Sequence, residues 1–238
     1  MKYRKKIFEQ ILGVLYPKTC CFCGKLSEKE MCDDCREKVI YITEPRCKRC
    51  GKPIRYFERE YCYDCQRQYS HYEQGRSVWV HKEPVSSSIY QYKYHNKRIY
   101  GEFYAKEMYR LYGELIIRWG IDLIIPVPLH KRRKRIRGYN QTEVLARHLG
   151  EYTGVPVDTK IVKRKSYTEP QKKLDNRERR KNLKDAFCVT KSFDEPKKIL
   201  LVDDIYTTGS TINEISRILC EKGENKVWFL TISIGQDF

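Results

Sequence analysis

The sequence predicts an α/β protein, with a mainly parallel sheet flanked by helices and a small cysteine-rich unit in front of it. Two observations carry this. From Gly75 onward, short apolar runs alternate with segments whose apolar residues recur every three or four positions. That is the pattern of buried strands joined by amphipathic helices. Ahead of it, nine of the eleven cysteines fall between Cys20 and Cys65.

The elements follow in order. GRSVWVH (75–81) reads as a strand and PVSSSIYQYKYHN (84–96) as a helix. RIYGEFYAKEMYRLYGELIIRWG (98–120) is a longer helix, and IDLIIPVP (121–128) is a nearly all-apolar strand ended by prolines. NQTEVLARHLGEYTG (140–154) is a helix stopped by glycine. ILLVDD (199–204) is a second buried strand, STINEISRILCEKG (210–223) another glycine-terminated helix, and KVWFLTISIG (226–235) the last strand.

The cysteines form four C-x2-C pairs: CCFCG, CDDC, CKRCG and CYDC. A disulfide framework would spread them through the fold, and a set of buried thiols would not repeat one spacing. Two turns, each presenting two thiolates, suit tetrahedral zinc. Sequential pairing gives Cys20, Cys23, Cys32 and Cys35 around one ion and Cys47, Cys50, Cys62 and Cys65 around a second, with Cys21 spare. An interleaved cross-brace is the alternative. Four thiolates close the coordination sphere, so both sites are structural, and about 50 residues with little apolar sequence need such support. Metallation lowers the formal net charge from +17 to about +13, which is still strongly basic. Lys48, Arg49, Lys52 and Arg55 around the third pair read as a solvated ribbon surface, with phosphate contact the alternative.

The stretch ILLVDDIYTTGSTI (199–212) carries the candidate site. In an open α/β sheet, ligands bind beyond the carboxyl ends of the strands, where Asp203 and Asp204 stand. Thr207, Thr208, Gly209, Ser210 and Thr211 turn into the next helix, whose unpaired N–H groups and dipole favour an anion. The hydroxyls add donors, and the glycine keeps a Cβ out of the ligand's way. The carboxylates should face neutral hydroxyls or a metal. A sugar with both a phosphate and a vicinal diol fits. Neither G-x-x-x-x-G-K-[ST] nor G-x-G-x-x-G occurs, which excludes a P-loop and argues against a dinucleotide site.

VDDIYTTGST resembles the phosphoribosyl pyrophosphate (PRPP) motif of type I phosphoribosyltransferases. With PVPLHKRRKRIRGYNQ (126–141), TEPQKKLDNRERRKNLKDAF (168–187) and a double zinc ribbon, the chain resembles the ComF family over nearly its whole length. The resemblance implies a phosphoribosyltransferase-like domain over 75–238, a double zinc ribbon over 18–70 and an N-terminal amphipathic helix over 1–17. It implies that Asp203 and Asp204 bind the ribose hydroxyls, directly or through Mg²⁺, and that residues 207–211 cradle the 5′-phosphate. Leu129, His130 and Lys131 would meet pyrophosphate, and the 163–187 region would close over PRPP. His130 reads equally as an ordinary turn histidine. Where purine-salvage members carry a carboxylate that assists the base, this chain has Thr207, which has no acid–base role near neutral pH.

The basic segments exceed what PRPP needs. KRRKRIR (131–137) has six cations in seven residues, and Lys163 to Asp185 holds ten Lys or Arg against four acids. A polyanion across the site is the expected partner. Arg132, Arg133, Arg135, Arg137, Arg177, Arg179, Arg180 and Lys181 are the candidate nucleic-acid contacts. Tyr90, Tyr92, Tyr94 and Tyr139 lie in or beside basic context, as in single-strand binders where bases stack and phosphates are neutralised.

Two functional classes follow. One is a PRPP–Mg²⁺-binding and single-stranded-DNA-binding protein of DNA uptake during natural competence, with a competence helicase or uptake machinery as partner. The other is a transferase that passes phosphoribosyl from PRPP to an unidentified acceptor. No run of about 18 apolar residues occurs and no cleavage site follows the basic N-terminus, so the expectation is a cytoplasmic protein. Ile7, Ile11, Val14 and Leu15 behind Lys2, Arg4, Lys5 and Lys6 read first as a face packed on the zinc ribbon or the transferase-like domain, with weak contact with the inner membrane face the alternative.

Overall fold

The structure is a computed structural model that describes residues 18–165 and 186–236. The expected N-terminal helix and Arg177, Arg179, Arg180 and Lys181 lie outside the described residues.

Four parallel strands form the central sheet in the order β1 (Gln74–Val80), β6 (Lys226–Ile234), β5 (Lys198–Tyr206), β2 (Leu123–Pro126). The long strands β5 and β6 run in register from Lys198 opposite Lys226 to Tyr206 opposite Ile234. Their sequences are apolar without alternation because both faces are covered. On one face lie α3 (Val85–Tyr94), α4 (Tyr100–Trp119) and α6 (Gln141–Thr153), which enclose Trp79, Tyr104, Met108, Leu145, Leu200 and Leu230. In α4, Tyr100, Phe103, Tyr104, Met108, Tyr112 and Ile116 are all buried, the three-to-four spacing that the sequence shows. On the other face α7 (Ser210–Cys220) packs Ile212, Ile215 and Leu219 against Leu201 and Phe229.

A short antiparallel ladder, β3 (Val162–Arg164) with β4 (Phe187–Val189), was not expected. It forms the described base of the 163–187 region. The basic run 131–137, for which the sequence offers no helical stripe, forms a helix, α5 (Lys131–Arg137).

The cysteine-rich unit straddles the sheet. Its first cysteine group joins the core on the α4 side, where Phe22 meets Trp79 edge-on at 5.5 Å. Its second group joins the core on the α7 side, with Tyr72, Tyr206 and Phe229. Between them, residues 40–42 run along β1, with Val80 N–H donating to Ile40 O (2.9 Å) and Ile42 N–H to Val78 O (3.1 Å). This covers one sheet edge. At the other edge, Ile124 bridges to Val157. Neither outer strand is left as an open template for another chain.

Candidate ligand cleft and metal centres

The metal centres are built by one repeated device. In each half a C-x2-C turn is followed by a second pair whose first cysteine caps a short helix: Cys32 before α1 (Asp33–Lys38) and Cys62 before α2 (Tyr63–Arg67). The sulfurs of Cys20, Cys23, Cys32 and Cys35 all lie within 4.8 Å of one another, and so do those of Cys47, Cys50, Cys62 and Cys65. The sequential pairing is therefore the one the fold adopts. Across the two turns, Cys23 Sγ is 3.7 Å from Cys32 Sγ, and Cys50 Sγ is 3.6 Å from Cys62 Sγ. A tetrahedron with Zn–S bonds of about 2.3 Å has edges of about 3.8 Å. Backbone N–H groups point at the sulfurs, Phe22 and Cys32 at Cys20 (3.4 Å each) and Lys52 at Cys50 (3.5 Å). Gly51 has φ +78°, which closes the third pair's turn, and a Cβ there would meet Gly75 O at 2.8 Å.

Lys52 departs from the expected solvated surface. It is 2% exposed, and its Nζ donates to Asp64 at 2.8 Å. Arg49 likewise turns inward, donating to Cys65 O at 3.0 Å, and Lys48 pairs with Glu60.

The ligand cleft opens at the carboxyl ends of β2 and β5, with a volume of about 560 Å³. Asp203, Asp204, Thr207, Gly209, Ser210, Thr211 and Leu129 line it. Thr208 does not. It faces a small crevice behind the turn, and its hydroxyl is 2.8 Å from that of Ser210. His130 and Lys131 are also outside the lining; His130 Nδ1 accepts from Arg132 N–H (3.2 Å) and so caps α5. From the basic run, Arg133 and Arg137 reach the cleft, while Arg132 and Arg135 do not.

The paired carboxylates do not end their strand. β5 continues to Tyr206, and Asp204 is buried rather than at the surface. Lys93 Nζ from α3 contacts Asp204 Oδ1 at 2.7 Å, and Gln141 Nε2 donates to Oδ2 at 2.6 Å. Asp203 is half-buried beside it. Burial, and then the charge of Asp204, push the Asp203 carboxyl up to about 8. On the opposite wall Arg164 of β3 is lowered to about 10 by burial and by Arg133, which leaves it cationic at neutral pH.

The 207–211 turn pivots on Gly209, with φ +74°, where a Cβ would run into the Tyr206 ring. Tyr206 lies flat on Phe229 (4.8 Å, 2°), and its hydroxyl is 2.8 Å from that of Tyr72. Asn213 in the first turn of α7 accepts from His71 N–H (2.7 Å) and donates to Tyr69 O (3.3 Å). The turn is thus braced from below by the segment that leads out of the second ribbon.

Sequence reading missed Lys93, Gln141, Asn140 and Arg164 as cleft residues. The RGYNQ segment held the signal for two of them. Asn140 caps α6 and donates to Val127 O (3.3 Å), and Thr142 Oγ1 donates to the same carbonyl (2.6 Å), which fixes Gln141 against Asp204. Of the four tyrosines read as aromatic contacts, Tyr92 and Tyr139 are buried and Tyr90 and Tyr94 are exposed.

A family model of the double zinc ribbon domain matches residues 11–66. Competence protein F of Haemophilus influenzae is 32% identical over 212 residues, which cover 86% of this chain and 91% of the relative. The chain belongs to the ComF family. Within it, competence protein ComFC of Bacillus subtilis is 27% identical over 83% of this chain and 80% of its own. DNA utilization protein YhgH of Salmonella typhimurium is 30% identical over 86% and 91%. Among solved structures, a purine phosphoribosyltransferase from Pyrococcus horikoshii overlaps 56% of this ComF-family chain and 74% of its own, at 15% identity and a TM-score of 0.36. Among the described residues, no helix is long and apolar enough to cross a membrane.

Proposed function

We propose that this ComF-family protein binds PRPP with Mg²⁺ in the cleft and single-stranded DNA across its basic rim, and that it serves DNA uptake in the cytoplasm during natural competence. One observation carries the reading. A carboxylate pair and a hydroxyl-rich helix-entry turn face the same cleft, with Lys93, Arg133, Arg137 and Arg164 around them. Ribose hydroxyls or a ribose-bound Mg²⁺ suit Asp203 and Asp204. The 5′-phosphate suits the 207–211 turn, and Arg133 and Arg164 are in place for pyrophosphate. The names of the relatives support the competence setting.

The same arrangement supports a second reading, phosphoribosyl transfer, because cations on the pyrophosphate side would stabilise a leaving group. Against it, the residue that follows the carboxylates on the acceptor side is Thr207, so no side-chain acid–base group is supplied there.

Calorimetric titration of PRPP–Mg²⁺ tests the ligand. Parent protein should bind, and the Asp203→Ala/Asp204→Ala variant should not. Equal affinity in the two would end the ribose-binding assignment. Replacing Arg177, Arg179, Arg180 and Lys181 by alanine tests the single-strand reading. If these contact phosphates, the slope of log K against log salt for single strands becomes shallower by roughly 0.7 per lost contact, equally for unrelated sequences. Released pyrophosphate in the presence of a candidate acceptor would favour the transferase reading.

A further inference from the structure

Helix α3 carries two tyrosines one turn apart on its outer face, Tyr90 at 50% and Tyr94 at 54% exposure. Their ring centroids are 4.9 Å apart, and Tyr90 meets the His95 ring at 5.6 Å. On the other side, Arg137 of α5 lays its guanidinium over the Tyr94 ring at 4.8 Å and donates to its hydroxyl at 3.3 Å. The four side chains form one continuous row, His95, Tyr90, Tyr94, Arg137. The row ends in the ligand cleft, because Tyr94 and Arg137 line it. Arg137 also donates to Gln141 Oε1 at 2.6 Å, and Gln141 in turn holds Asp204.

Packing does not explain this row. The same helix buries Tyr92, whose hydroxyl donates to Gln141 O at 2.7 Å, so the tyrosine that α3 needs for its core is a different one. Apolar groups scattered singly on a surface need no explanation, but rings in mutual contact beside a cleft are not scattered. About half of each tyrosine side chain stays exposed to a planar partner. Arg137 and Arg133 stand in the cleft wall at the end of the row and Arg98 lies over the Tyr139 ring at 4.7 Å, while of the carboxylates lining the same cleft Asp204 is already held by Lys93. Stacking faces interleaved with guanidinium groups fit alternating bases and phosphates.

We infer that the His95–Tyr90–Tyr94 row is a base-stacking track that leads a single-stranded nucleic acid into the cleft at Arg137. This rests on the reading that the rim binds single strands, and it adds where the bases lie. Tyr90 and Tyr94 are the stacking platforms, and Arg137 joins the strand site to the carboxylate site.

Fluorescence anisotropy with the full-length, zinc-loaded protein tests it. Two labelled probes of twelve nucleotides are compared, a thymidine oligomer and an abasic oligomer with the same phosphates. Parent protein should bind the thymidine oligomer at least about tenfold more tightly, since stacking on an aromatic side chain is worth about 1–3 kcal/mol per base. Tyr90→Ala with Tyr94→Ala should bring the thymidine oligomer down to the abasic level. Tyr90→Phe with Tyr94→Phe should keep the preference, and the salt slope should be the same in all three proteins because no charge changes. Thymidine affinity unchanged in the alanine variant would overturn the track while leaving strand binding in place, as would equal binding of the two probes by the parent. Parent protein that binds neither probe would overturn the single-strand reading itself. Both tyrosines are exposed, so the alanine variant should fold, as two zinc ions per chain would confirm.

Discussion

The Lys93–Asp204 pair can be tested as a unit. Its two side chains are 16% and 8% exposed, and the contact is 2.7 Å. Lys93→Met keeps the length of the side chain and removes its charge. Asp204 is then left with Gln141 Nε2 as its remaining side-chain donor, and with Asp203 next to it. Breaking a buried ion pair by removing one partner costs about 3–5 kcal/mol. This pair is not fully dry, so the lower end applies, about 3 kcal/mol. For a unit of this size, 1 kcal/mol moves the melting temperature by about 2–4 °C, so Lys93→Met should melt about 6–12 °C lower at neutral pH. Asp204→Asn removes the other charge. The double variant should be no less stable than Lys93→Met alone, because the stranded carboxylate is gone. Urea unfolding of ligand-free, zinc-loaded protein, followed by the fluorescence of the fully buried Trp79, gives the four corners of the cycle. A coupling energy near zero would refute the claim that Lys93 compensates Asp204, and would leave the lysine as a cation of the cleft wall only.

Three further outcomes are expected. The Asp203 carboxyl, raised to about 8 against 3.8 in the unfolded chain, contributes stability that is full below about pH 4 and is lost as pH rises through 8. On the proposed role of Asp203 as a ribose or Mg²⁺ ligand in its ionised form, PRPP–Mg²⁺ affinity should rise with pH by up to about tenfold per unit below pH 8 and then level off; Asp203→Asn should flatten the profile in calorimetry. Elemental analysis should give two zinc ions per chain, falling to one in Cys47→Ser, and a ratio near zero in protein purified reduced and without chelator would sink the zinc assignment. Gly209→Ala forces a side chain into the left-handed region and into Tyr206, so PRPP affinity should fall by at least about tenfold while zinc content stays at two.

Much of this architecture was legible because its signals are local. The apolar runs at 121–128, 199–204 and 226–235 read as buried strands, and the four C-x2-C pairs announce two metal sites, although their spacing left a cross-brace open until the fold brought sequential pairs together. Asp203 and Asp204 stand out because carboxylates interrupt such a run. The same interruption hid the true end of β5: the ladder to β6 carries on through Tyr206, past two charges that a sequence reading takes as a terminus. The partners of the carboxylates were illegible for a different reason. Lys93 lies on a helix 111 positions earlier than Asp204, and nothing in YQYKYHN separates the lysine that turns inward from those that face water. α5 was missed because KRRKRIR holds a single apolar residue, so no helical stripe can be read; its start is set by His130 and its end by Gly138 in the left-handed region.

The brace beneath the 207–211 turn has a consequence for how the protein can be divided. The change in composition at Gly75 invites a cut there, yet Tyr72, His71 and Tyr69 hold Tyr206 and Asn213 from the ribbon side of that cut. The buried sulfurs of Cys47, Cys50, Cys62 and Cys65 belong to the same apolar cluster as Phe229 and Ile212. A fragment that begins at Gly75 would keep every residue that lines the cleft and still lose the floor on which the turn stands. In this protein the second zinc ribbon is part of the foundation of the cleft.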